Sequence, residues 1–316
     1  MNIIGLDALV FGVDDIPACG ACLSDYGLTP VEVDSNGGRF EALDGTAIII
    51  RRADDPALPP AIGPAPSIRE TVYGVASAAD LDAIGHELSR DRTVTWDSEG
   101  ALHSVDDSGF AIAFQVSVRR DFSAAPDLTN SPGTAPQRPI NQLGIFPEMP
   151  AVPRTLSHVV YFVPDAVKAE AFYAERLRFK TTDRFERVGP FMRPQGSEEH
   201  HCLFMIQTPA HMQGCEHFTF HLGSGTEVLI AGKRLEQKGW TSFWGPGRHL
   251  FGSNWFWYFN SPLGCHIEYD ADMDRHDDAW AAREAPISAD SSQLFLFTSR
   301  ENWSPGGPPP KSVEQG

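Results

Sequence analysis

Short apolar strands with partial alternation of apolar and polar positions are interleaved with segments of helical periodicity. Residues 5–15 and 155–165 each predict a strand that ends in an acidic turn and is followed by a helix-length segment. The same succession recurs in later pairs of segments: strands at 68–77 and 215–224, helices at 78–90 and 226–239, and closing strands at 108–118 and 263–272. The pattern therefore predicts an internally duplicated α+β chain of four βαβββ units, two in each half.

Two Pro-rich segments interrupt this pattern. Residues 121–153 lack sustained periodicity and predict an extended connector between the halves. Residues 304–316 predict a frayed tail. We therefore expect an N-terminal module over 1–120, the connector over 121–153, a C-terminal module over 154–275 and a C-terminal extension over 276–316.

Charge and cysteine content narrow the class of protein. The 316 residues include 25 Lys and Arg against 42 Asp and Glu, a net charge of −17, which disfavours nucleic acid or an anionic membrane as a partner. No apolar run approaches the roughly 20 residues that span a bilayer, and the acidic N-terminus does not resemble a signal peptide. Five cysteines are too few and of the wrong parity for a disulfide framework. These features predict a cytoplasmic protein.

The histidines are distributed unequally between the two halves. Only two of eleven precede residue 121, so equivalent positions can be compared for their chemistry. His158 falls opposite Ala8, His217 opposite Glu70 to within one residue, and Glu268 opposite Ala113. A single strand histidine is more often structural than a ligand. Two imidazoles and one carboxylate on three strands, however, form the ligand set of a non-haem Fe(II) site with open positions.

A longer motif surrounds these residues in the second half. The motif comprises Gly239, Thr241, His249, Tyr258, Pro262, Gly264 and Glu268. With these spacings the chain resembles the type I extradiol ring-cleavage dioxygenases of the vicinal oxygen chelate superfamily, which also contains glyoxalase I and bleomycin-resistance proteins. The resemblance covers roughly residues 3–275. Trp257 and Ser261 depart from the usual residues, and we expect these departures to affect the shape of the pocket.

The resemblance implies a fold and a set of site residues. It implies two barrel-like vicinal-oxygen-chelate modules with the active site in the C-terminal module. His158, His217 and Glu268 would bind Fe(II), with Mn(II) as the alternative metal. His201 would lie beside the oxygen site, His249 would hydrogen-bond a substrate hydroxyl, and Tyr258 would steady the catecholate. Members of the family are usually homo-oligomers, so the same is expected here.

The function that follows is extradiol cleavage of a catechol-type ring by O₂ at a mononuclear Fe(II) site, in the catabolism of aromatic compounds. The partners would be a small aromatic diol and O₂, and the product a muconic semialdehyde. Two alternatives are a metal-dependent isomerase or lyase of the glyoxalase type and a non-catalytic protein that binds aromatic ligands. The sequence leaves the identity of the catechol open.

Several other residues have alternative interpretations. His221 and His266 lie on the strand faces of the proposed ligands, as partners of those ligands or as alternative ligands. Cys19 and Cys22 form a C-x-x-C at the start of a predicted helix, where packing is favoured over a redox or metal role. The aromatic residues Trp255, Phe256, Trp257 and Phe259, with Phe191 and Met192, would either line the pocket or fill the core.

Overall fold

The computed structural model describes residues 1–297. The helices are α1 Ile16–Tyr26, α2 Ala78–Leu88, α3 Ala166–Ala171, α4 Gly225–Gln237 and α5 Ala289–Ser292. The strands of the first half are β1 Ile3–Val13, β2 Thr29–Asp34, β3 Gly37–Glu41, β4 Ala47–Arg52, β5 Ser67–Val75, β6 Thr95–Trp96, β7 Leu102–Val105 and β8 Ala111–Val116. Those of the second half are β9 Thr155–Val163, β10 Lys180–Glu186, β11 Gly189–Arg193, β12 Leu203–Gln207, β13 Gly214–His221, β14 Ser242–His249, β15 Trp255–Asn260, β16 His266–Ala271, β17 Arg283–Pro286 and β18 Gln293–Leu296.

This order of elements contains four consecutive βαβββ units, which confirms the predicted duplication. In each unit a polar side chain at the end of the first strand begins the helix. Asp15, Ser77, Asp165 and Ser224 each accept a backbone N–H of the first helical turn. Such caps satisfy donors that the helix itself leaves unpaired, so the acidic or hydroxylic turn fixes where each helix starts. Helix α3 continues as a π-helical turn over Phe172–Arg176.

Each half forms one mixed sheet. The first sheet has the order β2-β3-β4-β1-β5-β8-β7-β6, and the second has the order β17-β10-β11-β12-β9-β13-β16-β15-β14-β18. The end strands of each sheet are not paired with each other in the described part of the chain, so neither sheet closes into a hydrogen-bonded barrel. The fold is thus α+β with two curved, open modules. In the sequence between them, residues 117–154, all of which are described, form neither helix nor strand.

The strand registers of the two modules correspond residue by residue. In the C-terminal sheet His158 lies opposite Thr219, His217 opposite Val160, and Thr219 opposite Glu268. In the N-terminal sheet Ala8 lies opposite Val72, Glu70 opposite Val10, and Val72 opposite Ala113. The equivalences inferred from the sequence are therefore confirmed. Ala8 and Ala113 pack in a small apolar cluster where the other module has ionisable side chains.

The two modules share one hydrophobic core. Phe11 of β1 packs against Phe218 of β13 with ring centroids 5.7 Å apart, and Tyr26 of α1 stacks on Tyr269 of β16 at 4.2 Å. The Tyr26 hydroxyl also donates to the backbone carbonyl of Glu268 and accepts the N–H of Phe220 at 3.3 Å. The N-terminal module thereby supports the strands that carry the ionisable residues of its neighbour.

The chain beyond β16 adds a strand to each edge of the C-terminal sheet. β17 pairs with β10 at one edge and β18 pairs with β14 at the other, and residues 287–292 connect them. The expected tail at 304–316 lies outside the described residues. None of the described helices has the length and apolar character required to cross a lipid bilayer.

Candidate metal centre and active site

Three adjacent strands of the C-terminal sheet carry His158, His217 and Glu268. Strand β13 pairs with β9 on one side and β16 on the other. Thr219 lies opposite both His158 and Glu268 in these registers, and His217 is two residues before it. Because alternate residues of a strand share a face, all three ionisable side chains project from the same face of the sheet.

The three side chains converge on one point. The Nε2 atoms of His158 and His217 are 3.3 Å apart, and Glu268 Oε2 lies 3.1 Å from His158 Nε2 and 3.4 Å from His217 Nε2. One ligand atom from each residue lies within 4.8 Å of the other two. All three residues are buried, with Glu268 fully inaccessible to solvent. The structure thus brings together the three residues that comparison of the halves singled out.

Hydrogen bonds fix the orientation of both imidazoles. His158 Nδ1 lies 2.8 Å from Ser157 Oγ, which in turn donates to Asp270 Oδ2 at 3.3 Å. His217 Nδ1 is hydrogen-bonded to the Glu216 carboxylate. A carboxylate can only accept, so the proton of His217 is held at Nδ1 and Nε2 faces the centre. Outer partners of this kind orient metal-binding histidines in many proteins.

The two histidines of uncertain role belong to this outer layer. His266 Nδ1 lies 3.0 Å from Glu216 Oε1, and His221 Nδ1 lies 2.6 Å from Asp270 Oδ1. His266 therefore contacts the carboxylate that holds His217. His221 contacts the carboxylate behind Ser157. Neither is a member of the converging triad. Each instead contacts a carboxylate that helps to orient a histidine of the triad.

The donor set fits a divalent cation. Burial lowers the pKa of His158, which keeps that imidazole in the neutral form that binds metals. Burial alone would raise the pKa of Glu268, but the neighbouring imidazoles of His158, His217 and His249 hold it well below its usual range. Glu268 Oε1 is buried without a hydrogen-bond partner among the described residues. A buried anionic oxygen without a partner is costly, and a cation would satisfy it.

His217 is likewise affected both by burial and by a neighbouring charged group. Burial opposes its protonation, yet the adjacent Glu216 carboxylate raises the pKa of His217 to about 10. The imidazole therefore carries a proton at neutral pH in the metal-free protein. A metal bound at Nε2 would replace that proton and preserve the positive charge facing Glu216.

His201 lies beside the triad at the end of a buried polar chain. Its ring is 4.3 Å from that of His158, and its Nδ1 lies 2.9 Å from His200 Nδ1. His200 Nε2 lies 2.8 Å from Asp183 Oδ2, and Arg283 also binds Asp183. The Asp183 carboxylate must accept from His200 Nε2, so in a neutral His200 Nδ1 accepts from His201 Nδ1–H. His201 Nε2 is then the free nitrogen.

His249 and Tyr258 form a second polar pair near Glu268. The backbone carbonyl of Ser292 accepts from His249 Nδ1 at 3.0 Å, so a neutral His249 has an accepting Nε2. The Tyr258 hydroxyl lies 3.3 Å from that nitrogen and donates to it. Burial, followed by the Glu268 carboxylate, raises the pKa of Tyr258 well above its usual range, so the phenol keeps its proton.

One cavity of about 300 Å³ joins all these groups. The triad residues His158 and His217 line it together with His201, His249 and Tyr258. Its remaining walls are largely apolar and come from β9 to β12, β14, the loop before β15 and the C-terminal extension: Val160, Phe185, Val188, Phe191, Phe204, Ile206, Phe243, Trp244, Phe251 and Ile287. A small concave site with a few convergent polar groups is typical of a small-molecule pocket.

Residues 155–269 match the Glyoxalase/Bleomycin resistance protein/Dioxygenase superfamily. This part of the chain is a domain of that superfamily. The matched residues include β9 to β13, α4 and most of β16, and therefore the whole converging triad. The superfamily domain thus contains the candidate metal centre, as the resemblance implied.

Two curated proteins are similar to part of the chain. Metapyrocatechase 2 of Cupriavidus necator is 35% identical over 123 residues, which cover 39% of this chain and 38% of that protein. Biphenyl-2,3-diol 1,2-dioxygenase of Paraburkholderia xenovorans (strain LB400) is 29% identical over 131 residues, which cover 40% and 43%. The matches therefore span about two-fifths of the length of these relatives.

A solved structure is similar over nearly the whole chain. The Mn(II)-bound glyoxalase from Novosphingobium aromaticivorans aligns with a TM-score of 0.73 over 92% of this chain and 90% of its own, at 22% sequence identity. At that identity the likeness concerns the fold. The likeness in fold covers both modules, whereas the superfamily match covers residues 155–269.

The expectation that Trp257 and Ser261 shape the pocket is wrong. Neither residue lines the main cavity. Trp257 faces away from Tyr258, packs against Gly232 of α4 and donates to Ser242 Oγ at 2.8 Å. Trp255, Phe256, Phe259 and Met192 likewise do not line the cavity, whereas Phe191 does. Strand alternation explains the positions of Trp257 and Phe259, because the immediate neighbours of Tyr258 face the opposite side of β15.

Cys19 and Cys22 are buried in the core on α1. Burial is the main cause that raises the pKa of Cys19 to about 12, and it also raises that of Cys22. A thiol with a raised pKa is a poor nucleophile and a poor metal ligand. The packing interpretation of the C-x-x-C is the one that fits this environment.

Several groups that support the candidate metal centre were not predicted from the sequence. Glu216 and Asp270 were adjacent to named ligands, at one and two residues from His217 and Glu268, so strand position offered a signal for both. Ser292 offered none, because its contact with His249 spans 43 residues of chain. The same is true of Phe185 and Phe251, because their meeting in the cavity depends on how β10 packs against the loop before β15.

Proposed function

We propose that the protein is an Fe(II)-dependent extradiol dioxygenase that cleaves a catechol-type ring with O₂ and incorporates both oxygen atoms. The observation that carries the proposal is the convergence of two imidazoles and one carboxylate at a cavity that also holds His201, His249 and Tyr258. The names of the two curated relatives support the same reaction class. The product would be a muconic semialdehyde.

His158, His217 and Glu268 would hold the metal. Three protein ligands cover one face of an ion and leave positions for substrate and oxygen. When bound, Fe(II) would supply a centre at which catecholate and O₂ are brought together for electron transfer and ring insertion. We propose Fe(II) in preference to Mn(II), because the reaction requires a metal that exchanges electrons readily with O₂.

His249 and Tyr258 would bind the diol. The accepting Nε2 of His249 can take the proton of a substrate hydroxyl, since Ser292 already occupies its Nδ1–H. The Tyr258 hydroxyl, 3.3 Å from that nitrogen, remains protonated and can donate to the resulting phenolate oxygen. Together these residues would favour the monoanionic form of the catechol.

His201 would act on the oxygen side of the cavity. Burial, followed by the proximity of His158 and His200, lowers its pKa well below the usual range, so it is a neutral imidazole. Its Nδ1 is engaged by His200, which leaves Nε2 to accept and return one proton. A neutral imidazole at that place can serve as general base and then as general acid.

The proposal includes the organisation and setting of the protein. Residues 1–120 would form a module without a metal site, 121–153 the connector, 154–275 the catalytic module, and 276–316 an extension. Glu70, the residue equivalent to His217, is hydrogen-bonded to His103 at 2.8 Å, which supports a structural role for the N-terminal module. Five free cysteines support a reducing cytoplasm. A homo-oligomeric state is also part of the proposal.

Oxygen uptake tests the proposed function. Protein purified anaerobically and loaded with Fe(II) should consume about one O₂ per catechol and form a yellow ring-cleavage product. His217→Ala should lose iron and ring cleavage, because it removes one of three ligands. His103→Ala in the N-terminal module is the matched control and should retain both.

Other outcomes would contradict the proposal in distinct ways. A His217→Ala variant with full iron content and full activity would remove the triad from the mechanism. Turnover that proceeds equally without oxygen would indicate a metal-dependent isomerase or lyase of the glyoxalase type. Stoichiometric binding of aromatic compounds by metal-free protein, without turnover after iron loading, would indicate a binding protein.

A further inference from the structure

The cavity has two chemically different parts. Beside the polar groups lies a set of apolar side chains that we call the aromatic chamber: Phe185, Val188, Phe191, Phe204, Ile206 and Phe251. Phe191 stacks on Phe204 with ring centroids 3.9 Å apart, and Phe185 lies 4.9 Å from Phe251. Interlocked rings of this kind form a rigid wall that cannot reorganise to solvate a charge.

The chamber adjoins the position at which the substrate ring would react. Phe191 makes an edge-to-face contact with His201 at 5.0 Å, and Val160 of the same apolar cluster lies two residues from His158 on β9. A diol held at the triad would therefore direct a ring substituent into the chamber or towards its mouth. Ile287 of the C-terminal extension lines that mouth.

The charges around the cavity disfavour an anionic substituent. Among the described residues no Lys or Arg lines the cavity. Glu216 lines it, and Glu268 lies next to the lining residue His217. The guanidinium of Arg283 lies 5.0 Å from the Phe251 ring, but it is bound to Asp183. A substrate carboxylate in the chamber would be desolvated without a partner.

We infer that the site selects an uncharged catechol with an alkyl or aryl substituent, which lies in the aromatic chamber. The inference rests on the proposed ring-cleaving function and specifies its substrate class. Val188 stands at the turn between β10 and β11 and is half-buried at the edge of the chamber. A positive charge at that position should therefore weaken the preference for the uncharged substituent without disturbing the metal ligands.

Two matched substrate pairs test the inference in the iron-loaded protein. They are 4-ethylcatechol with 3,4-dihydroxyphenylacetate, and 3-ethylcatechol with 2,3-dihydroxyphenylacetate, so that each pair compares an alkyl group with a carboxyalkyl group at one ring position. We expect kcat/KM for the ethyl compound to exceed that for the acid by at least about 100-fold in one or both pairs, because the acid leaves a buried charge unpaired. Equal values in both pairs would overturn the inference and leave ring cleavage intact.

A charge-introducing variant gives a second test. Val188→Arg should reduce the preference for the ethyl compound by at least about tenfold, the scale of one hydrogen bond to a charged group. The matched control is Val167→Arg, since Val167 is 73% exposed on α3 and away from the cavity. Ile206→Arg serves as a second variant in the chamber if Val188→Arg does not fold. An unchanged preference in a folded chamber variant would overturn the inference.

A binding measurement separates this inference from the proposed function. 2-Ethylphenol and 2-hydroxyphenylacetate lack the second hydroxyl and cannot undergo catechol cleavage, and their binding can be followed through tryptophan fluorescence because Trp244 lines the cavity. Tighter binding of 2-ethylphenol, lost in Val188→Arg, would uphold the chamber even if no catechol were cleaved. Equal binding of both phenols would refute the chamber whatever the enzyme does with catechols.

Discussion

Asp270 occupies a position from which one carboxylate influences several groups of the candidate metal centre. It accepts from Ser157, which contacts His158, and it is also hydrogen-bonded to His221. The side chain of His158 is almost completely buried, with 2% of the residue exposed. The orientation of His158 therefore depends on buried groups alone, and its affinity for a metal should respond to changes in them.

Replacing Asp270 with Asn should weaken metal binding about 10- to 100-fold, the usual effect of losing an outer partner of a ligand. The physical reason is that Asn offers one accepting oxygen in place of two, so it cannot accept from both Ser157 and His221, and the contact of Ser157 with His158 Nδ1 is weakened. Competition between the protein and a chelator of known affinity measures the change. Asp272→Asn is the control, because Asp272 lies just beyond the same strand with its side chain 64% exposed and bound to Arg248. Equal metal affinities of the two variants would show that Asp270 does not support the site.

At the scale of elements, helix α4 and strand β15 meet through a glycine and a tryptophan. A Cβ added at Gly232 would lie 2.1 Å from the Trp257 ring, so the helix can approach the strand only without a side chain there. The large residue at 257 is thus accommodated on the helix side of the sheet. Tyr258 can keep its place in the cavity on the other side because the two residues point in opposite directions.

Gly232→Ala should destabilise the protein by about 1–3 kcal/mol, the usual cost of overpacking a core. Ala is the better helix former by roughly 1 kcal/mol, so the sign of the effect should reverse once the clash is removed. In a Trp257→Leu background we therefore expect Gly232→Ala to be neutral or stabilising. Chemical denaturation of the four proteins in this cycle gives the coupling. If Gly232→Ala lowered the free energy of unfolding equally in both backgrounds, a clash with the Trp257 ring would not be the cause.

The sequence predicted the elements better than the faces they present. Helix caps such as Ser224 and the repeat of strand and helix segments are local signals, and both were readable. The orientation of Trp257 was also a local matter, because alternation from Tyr258 would have assigned it to the helix side. The contact of Ser292 with His249 was not local, and neither was the assembly of Phe185 with Phe251, so no pattern along the chain indicated them.

At the scale of the whole molecule, the internal duplication allowed the candidate site to be predicted from the sequence alone. Ala8 and Ala113 stand in one module where His158 and Glu268 stand in the other, and the strand registers keep these positions equivalent. The same comparison could not show how the modules touch. Tyr26 belongs to the module without ionisable residues at these positions, yet its hydroxyl reaches the backbone of Glu268.

Tyr26→Phe should lower the free energy of unfolding by about 1–3 kcal/mol, because it leaves buried backbone groups of β13 and β16 without their partner. Since one hydrophobic core spans both modules, we expect the variant to unfold in a single transition at a lower denaturant concentration, and not in two separate transitions. Tyr73→Phe is the matched control: Tyr73 is equally buried, and its hydroxyl has no hydrogen-bond partner among the described residues. Denaturation followed by tryptophan fluorescence measures both. An equally large loss of stability in Tyr73→Phe would mean that the lost side-chain volume, and not the bridging hydroxyl, causes the effect.

The short C-terminal segment has a geometric consequence for the molecule. By hydrogen bonds the second sheet is open, but its two edge strands are consecutive in sequence and are tied by residues 287–292. A covalent tether thus completes the circumference that the strand ladder leaves incomplete. The two margins of the sheet cannot move further apart than that length of peptide permits. Ile287 and Ser292 of this tether line the cavity, so its length also limits how far that side of the cavity can open.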